Sequence, residues 1–208
     1  LIAYRASELL IEAGIPLGTF QLCLGKGSDV GSYLSSSSII SGVAFTGSTT
    51  VAKQIKRNLV KNGNPEARVI AETGGLNAMV VDSTALCEQV TRDVIDGAFK
   101  SAGQRCSALR VLMIQEECFD ETLKMIEGAM MELNIGNPKH LSTDCGPVIN
   151  DDARLKLQSY IDQSRKRSQI TGEIQCNLNT GYYVSPTIIH LKSIDEINEE
   201  FFGPILHV

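Results

Sequence analysis

Apolar positions along the chain change period repeatedly, and each change marks a new element. Residues 1–13 set Leu1, Ile2, Leu9, Leu10, Ile11 and Ala13 among polar neighbours, which predicts an amphipathic helix ended by Gly14 and Pro16. Thr19–Leu24 (TFQLCL) alternates and is expected to form a strand, after which GKGSDVG at 25–31 reads as a glycine-rich turn before a short helix. Gly42–Phe45 predicts a short buried strand, followed by TGSTT and a helix over about Val51–Lys61; Ala67–Glu72 (ARVIAE) predicts a third strand. This rhythm of helix and strand is that of a parallel α/β sheet.

After Gly74-Gly75 the texture shifts. Asn77–Val81 predicts a strand, Leu86–Phe99 a helix, Leu109–Ile114 a strand and Cys118–Leu133 a helix. Residues 134–150 are rich in Asn, Pro, Gly and Asp and read as a loop; Asp151–Lys166 is a polar amphipathic helix, and Glu173–Pro186 a loop with a short strand. A boundary falls near 74/75, dividing the chain into 1–74 and 75–208. No internal repeat is visible, and the SSSS run at 35–38 is too short to count as low complexity.

Composition narrows the function classes. The 208 residues are 43% hydrophobic and 21% charged, ordinary for a globular chain with a full core. Trp is absent, aromatics are 5%, the net charge is −5, and RKR at 165–167 is the densest basic cluster, so nothing here marks a nucleic-acid surface. No apolar run reaches the roughly 18 residues of a membrane span. Arg5, Glu8 and Glu12 interrupt the first segment, which is therefore not expected to be a signal peptide. The chain opens inside a helix pattern without Met and stops at FFGPILHV without a polar tail, so a fragment of a longer protein is expected.

Six cysteines (23, 87, 106, 118, 145 and 176) include no CxxC pair, and His140, His190 and His207 have no HxxxH spacing. Neither pattern indicates a zinc site, and no metal is expected. A chain of this length has no need of disulfides, so a reducing, cytoplasmic setting is expected.

Four stretches could carry chemistry, each with a plainer reading beside it. GKGSDVG could cradle a pyrophosphate with exposed backbone N–H groups, although it departs by one residue from GxGxxG and could be a simple tight turn. FTGST at 45–49 joins a strand to a helix: Thr46, Ser48 and Thr49 can cap it and Gly47 allows close approach of a phosphate, or the stretch is an ordinary N-cap. ETGG at 72–75 puts Glu72 at the carboxyl end of an apolar strand, where open α/β sheets bind ligands, or simply in solvent. SAGQRCSALR at 101–110 sets Cys106 in a turn with Gly103, where free N–H groups could stabilise a thiolate or an oxyanion; a buried, inert cysteine is the commoner case.

Taken in order, FTGST at 45–49, ETGGLN at 72–77, FKSAGQRCS at 99–107 and EEFFGPI at 199–205 resemble the motifs of the aldehyde dehydrogenase superfamily, across nearly the whole chain. The 34 residues separating Glu72 from Cys106 also resemble that family's base-to-nucleophile spacing. AETGGLNAMVVDSTAL at 71–86, SAGQRCSALRVL at 101–112 and GYYVSPTII at 181–189 are similar to its Δ1-pyrroline-5-carboxylate (glutamate-semialdehyde) dehydrogenase branch, found in bifunctional bacterial proline-utilisation proteins.

The resemblance implies an incomplete aldehyde dehydrogenase fold: part of a Rossmann-like parallel-sheet cofactor domain (1–74), then a truncated α/β catalytic domain (75–208). By position, Cys106 matches the nucleophile that forms a thiohemiacetal and then, after hydride transfer to NAD, a thioester; its backbone N–H supplies half an oxyanion hole. Glu72 matches the base that activates water. Gly27 and Gly31 match the glycine turn at the adenosine half, Thr46, Gly47 and Ser48 the pyrophosphate turn, and Glu200 and Phe202 the holders of the nicotinamide ribose and ring. Ser107 resembles a residue that helps hold the substrate's distal carboxylate.

Ala52 replaces a glycine frequent in the family, a change shared by this branch. The family's PWNFP-like and KPA-like stretches do not occur in the chain, nor do a carboxylate-binding loop and oligomerisation strand after FFGPILHV. The chain alone is therefore expected to be inactive. The implied reaction of the full protein is NAD-dependent oxidation of L-glutamate 5-semialdehyde to L-glutamate in proline catabolism. Its implied partners are a small-molecule aldehyde and further copies in a homo-oligomer, without nucleic acid or membrane contact from this segment. FAD is implied only if a proline dehydrogenase domain is attached outside the chain. The alternatives are another aldehyde, such as succinate semialdehyde, or a non-catalytic assembly domain on the same fold.

Overall fold

The long helices form where the apolar period places them, and a computed structural model describes residues 1–16, 18–176, 178 and 180–208. The chain separates into two compact units, Leu1–Thr73 and Gly74–Val208.

In the first unit, β1 (Gly42–Gly47) pairs in parallel with β2 (Arg68–Thr73), with Thr46 opposite Glu72 and Gly47 opposite Thr73. The crossover between them is α3 (Thr49–Asn62), which buries Ala52 and Leu59 two turns apart on one face. Two further helices, α1 (Ile2–Glu12) and α2 (Ser32–Ser35), precede them. GKGSDVG does not form a simple tight turn: Gly27–Gly31 is one π-helical turn that runs straight into α2.

The strand expected at Thr19–Leu24 is absent. A strand needs a neighbouring ladder, and among the described residues of this unit only β1 and β2 pair. Phe20, Leu22 and Leu24 instead line a cleft with Tyr4, Ser7 and Ile11 of α1.

The second unit is a five-stranded sheet in the order β3-β4-β7-β6-β5. Its strands are β3 (Ala78–Val81), β4 (Val111–Ile114), β5 (Ile170–Glu173), β6 (Thr187–Ile189) and β7 (Ile205–His207). All neighbours are parallel except β5 and β6. Strand alternation sends successive residues to opposite faces. Ile188 and Leu206 join the cluster built by α4 (Cys87–Ala98) and α5 (Phe119–Met131), while Ile189 and Ile205 join the one built with α6 (Asp151–Lys166). The loop expected over 173–186 is flanked by β5 and β6 rather than holding a strand of its own; residues 177 and 179 lie outside the described residues. No described helix is long and apolar enough to cross a membrane.

Candidate active site

The carboxyl end of the β1–β2 ladder collects four of the expected residues. Thr46 and Glu72 are exposed register partners on the last rungs, and Gly47 and Ser48 follow at the start of α3. Ser48 Oγ accepts a hydrogen bond from Val51 N at 3.3 Å and caps the helix. The first turn of α3 holds no acidic residue, so its free N–H groups and positive dipole end meet no competing carboxylate there. Gly47 has a reason within the chain for lacking a side chain: a Cβ would stand 2.5 Å from the Phe45 ring. Gly27 and Gly31 have none, because a Cβ at either would meet nothing within 4 Å.

In the second unit Cys106 and Ser107 are both exposed on the loop between α4 and β4. That loop is held on several sides. Asn77 Nδ2 donates to the carbonyls of Cys106 (2.7 Å) and Ala108 (3.0 Å), and the Asn77 carbonyl accepts from Arg110 N and Val111 N. Arg105 donates to the Asp96 carbonyl at 2.7 Å, near the C-terminal end of α4. Gln104 bridges to Pro147 O and Ile149 N. At the base of the loop Ser101, Ala102 and Gly103 all have positive φ (57°, 51° and 63°). A Cβ on Gly103 would lie 2.1 Å from the Gly203 carbonyl, so the loop presses backbone to backbone against the turn that carries Glu200 and Phe202.

Arg110 organises that turn. Its side chain is wholly buried; Nε and Nη2 reach Glu200 Oε1 at 3.3 and 3.2 Å, Nη1 donates to Gly203 O at 3.0 Å, and its Cζ lies 5.2 Å from the centre of the Phe202 ring. Burial pushes the guanidinium down from its ordinary value, and the Glu200 charge pulls it back up. Glu200 packs so closely over Gly74 that a Cβ there would stand 1.9 Å from Oε2. Phe201, beside it, stacks on Tyr160 at 3.6 Å. Tyr160 in turn meets His207 Nε2 at 3.0 Å, and His207 Nδ1 sits 2.9 Å from the Arg110 carbonyl. A carbonyl only accepts, so Nδ1 carries the proton and Tyr160 donates to Nε2.

The six cysteines are free. Cys145 marks the contrast with Cys106: it is buried, and burial, with a smaller push from Cys176, raises its thiol to about 12. Such a thiol stays protonated.

The sequence profile of the aldehyde dehydrogenase family matches residues 1–208. The chain belongs to the aldehyde dehydrogenase family. Its fold is the aldehyde dehydrogenase fold in part, with mixed α/β content and parallel sheets. The chain is 48% identical to the bifunctional protein PutA of Klebsiella aerogenes, over all of its own length and 17% of that protein's. It is 35% identical to 1-pyrroline-5-carboxylate dehydrogenase of Staphylococcus saprophyticus, over 99% of the chain and 41% of the relative. A crystal structure of a Bradyrhizobium japonicum proline utilization A (PutA) mutant superposes with a TM-score of 0.93 at 44% identity, covering 99% of this chain and 21% of that one. A betaine aldehyde dehydrogenase mutant of Staphylococcus aureus, solved in complex with NAD+, superposes with a TM-score of 0.90 at 29% identity, over 98% of this chain and 41% of that one. This aldehyde dehydrogenase chain thus spans a minor part of each relative.

No sequence motif marks Asn77 as a clamp or gives a role to Arg110, Tyr160 or His207. Arg110 stands in SALRVL between apolar neighbours, where a charged residue demands a buried partner; that was the available signal. Nothing local pointed to Tyr160 or His207.

Proposed function

We propose that the protein containing this chain is an NAD-dependent dehydrogenase that oxidises L-glutamate 5-semialdehyde, the open form of Δ1-pyrroline-5-carboxylate, to L-glutamate in proline catabolism. The observation that carries the reading is the exposed Cys106 thiol on a loop tied down by Asn77, Gln104 and Arg105. A nucleophile must be both accessible and held. In this reading Cys106 Sγ attacks the aldehyde carbon and the Cys106 N–H supports the resulting oxyanion. When bound, NAD would supply the hydride acceptor that converts the adduct into an acyl thioester on Cys106. Glu72 takes a proton from the water that hydrolyses the thioester, and Ser107 helps hold the substrate's distal carboxylate.

The residues present fit the cofactor. The N-terminus of α3 with Thr46, Gly47 and Ser48 suits a pyrophosphate. Gly27 and Gly31, which the chain's own packing does not require, leave room at the adenosine half. Glu200 and the part-exposed Phe202 ring suit the nicotinamide half. Residues 1–74 are read as the C-terminal part of the NAD-binding domain and 75–208 as part of the catalytic domain. FAD belongs to the protein only through an attached proline dehydrogenase domain; the setting is the cytoplasm, and the assembly a homo-oligomer.

The test is Cys106→Ser in the full-length protein, assayed for NADH formation with glutamate semialdehyde, succinate semialdehyde and betaine aldehyde. The expected outcome is complete loss of aldehyde oxidation in the variant and the highest kcat/KM for glutamate semialdehyde in the parent. Retained oxidation removes Cys106 from its role, and a preference for another aldehyde replaces the substrate.

A further inference from the structure

We propose that Arg110 is a positioning residue that sets cofactor affinity by holding the Glu200 carboxylate and the Phe202 ring. This rests on the reading above that Glu200 and Phe202 face the nicotinamide half. The two partners lie about ninety residues along the chain from Arg110, so no local pattern brings them together.

A guanidinium with no exposed surface is costly unless its donors and its faces are met. Here Nε and Nη2 converge on one oxygen of Glu200, Oε1, while Nη1 takes the Gly203 carbonyl and the Phe202 ring lies against the guanidinium. Nη2 also makes a longer approach, 3.5 Å, to the carbonyl of Arg105, next to Cys106. The carboxylate is pressed from another side by Gly74, whose missing side chain leaves the space that Oε2 occupies. One oxygen is thus pinned by Arg110 and the other turned away from it, on a side chain that keeps 21% of its surface exposed.

The Arg110 backbone is itself tied on both sides. Its N–H is bonded to Asn77 O, and its carbonyl receives both His207 N and His207 Nδ1 at 2.9 Å. Arg110 therefore joins the Glu200 turn to the residues beside β3 and β4 and to His207 of β7. A lysine supplies the charge but not the planar fork, so charge alone does not reproduce the arrangement.

The test is a double-mutant cycle in the full-length protein, read as NAD+ affinity by isothermal titration calorimetry, with denaturant unfolding of each variant. Glu200→Gln, Arg110→Met and the pair are compared. Each single change is expected to weaken NAD+ binding about tenfold, the size of one lost charge-assisted hydrogen bond, and the double no more than either. Arg110→Lys is expected to fall between parent and Arg110→Met.

Parent-like affinity in Glu200→Gln overturns the assignment of Glu200 to the cofactor. Weakened binding in Glu200→Gln beside parent-like affinity in a folded Arg110→Met or Arg110→Lys overturns the proposal alone, and so do effects that multiply in the pair. Should neither Arg110 variant fold, Glu200→Asp decides. It leaves the buried guanidinium in place and withdraws the carboxylate by one methylene, and parent-like affinity there overturns the proposal.

Discussion

Asn77 Nδ2 donates to two carbonyls two residues apart, those of Cys106 and Ala108, and so fixes the backbone on both sides of Ser107. Removing it leaves a partly buried carbonyl of Ala108 without its donor. Asn77→Ala is expected to destabilise the protein by about 1–2 kcal/mol, read as a shift in the denaturant midpoint. It is also expected to lower kcat by up to about 10²-fold through misplacement of the thiol. An unchanged kcat would mean that the loop holds its shape without this clamp. Cys106, Ser107, Glu72, Glu200 and Phe202 stand in recognisable motifs. Asn77 sits inside one of them, ETGGLN, yet its task depends on a loop about thirty residues away that no local window contains.

At the scale of elements, the segment 100–103 is where local expectation and structure part most clearly. Phe99 ends a helical pattern and SAGQRC reads as an ordinary turn, yet three consecutive residues adopt left-handed backbone. Two of them, Ser101 and Ala102, carry a Cβ and accept the strain. Gly103 cannot be exchanged on either count: φ is +63°, and the Gly203 carbonyl occupies the space of a side chain. Gly103→Ala is expected to destabilise by at least about 1–3 kcal/mol, lowering the melting temperature measured by circular dichroism and shifting Cys106.

The long helices α3, α4, α5 and α6 and the strands β1 to β4 follow their apolar periods closely, because burial of one face is a local requirement. The strand expected over Thr19–Leu24 and the unforeseen β7 show the opposite case. Alternation permits a strand, but only a neighbouring ladder makes one, and β7, three residues long, is a strand because β4 and β6 flank it.

Across the second unit, the hydrogen-bonded chain Tyr160–His207–Arg110 links α6 to the loop that carries Cys106 and couples the stability of this unit to pH. Burial pushes the His207 ring down from its ordinary value of about 6.5; the hydrogen bond to the Arg110 carbonyl opposes this, and the Arg110 charge adds to it. The unfolded chain therefore takes up the proton at a higher pH than the folded one. The stability due to His207 is fully present above about pH 6.5 and is lost as the pH falls through the unfolded value toward the folded one. Thermal unfolding from about pH 7.5 to about pH 5 is expected to show a steeper fall for the parent than for His207→Gln, whose amide keeps both a donor and an acceptor but does not titrate. Parallel curves would remove His207 from the coupling.

The sequence by itself determined which residue types are present for chemistry and where the long helices lie, since both depend on residue type and short-range period. Four ordered motifs were enough to place the chain in the aldehyde dehydrogenase family. Only the tertiary structure decided how those residues are held: Arg110 on Glu200, Gly103 against Gly203, Asn77 under Cys106 and Tyr160 on His207. Each of these pairs joins positions about thirty to a hundred residues apart, and closing such distances is the work of sheet pairing and core burial, which no local period encodes.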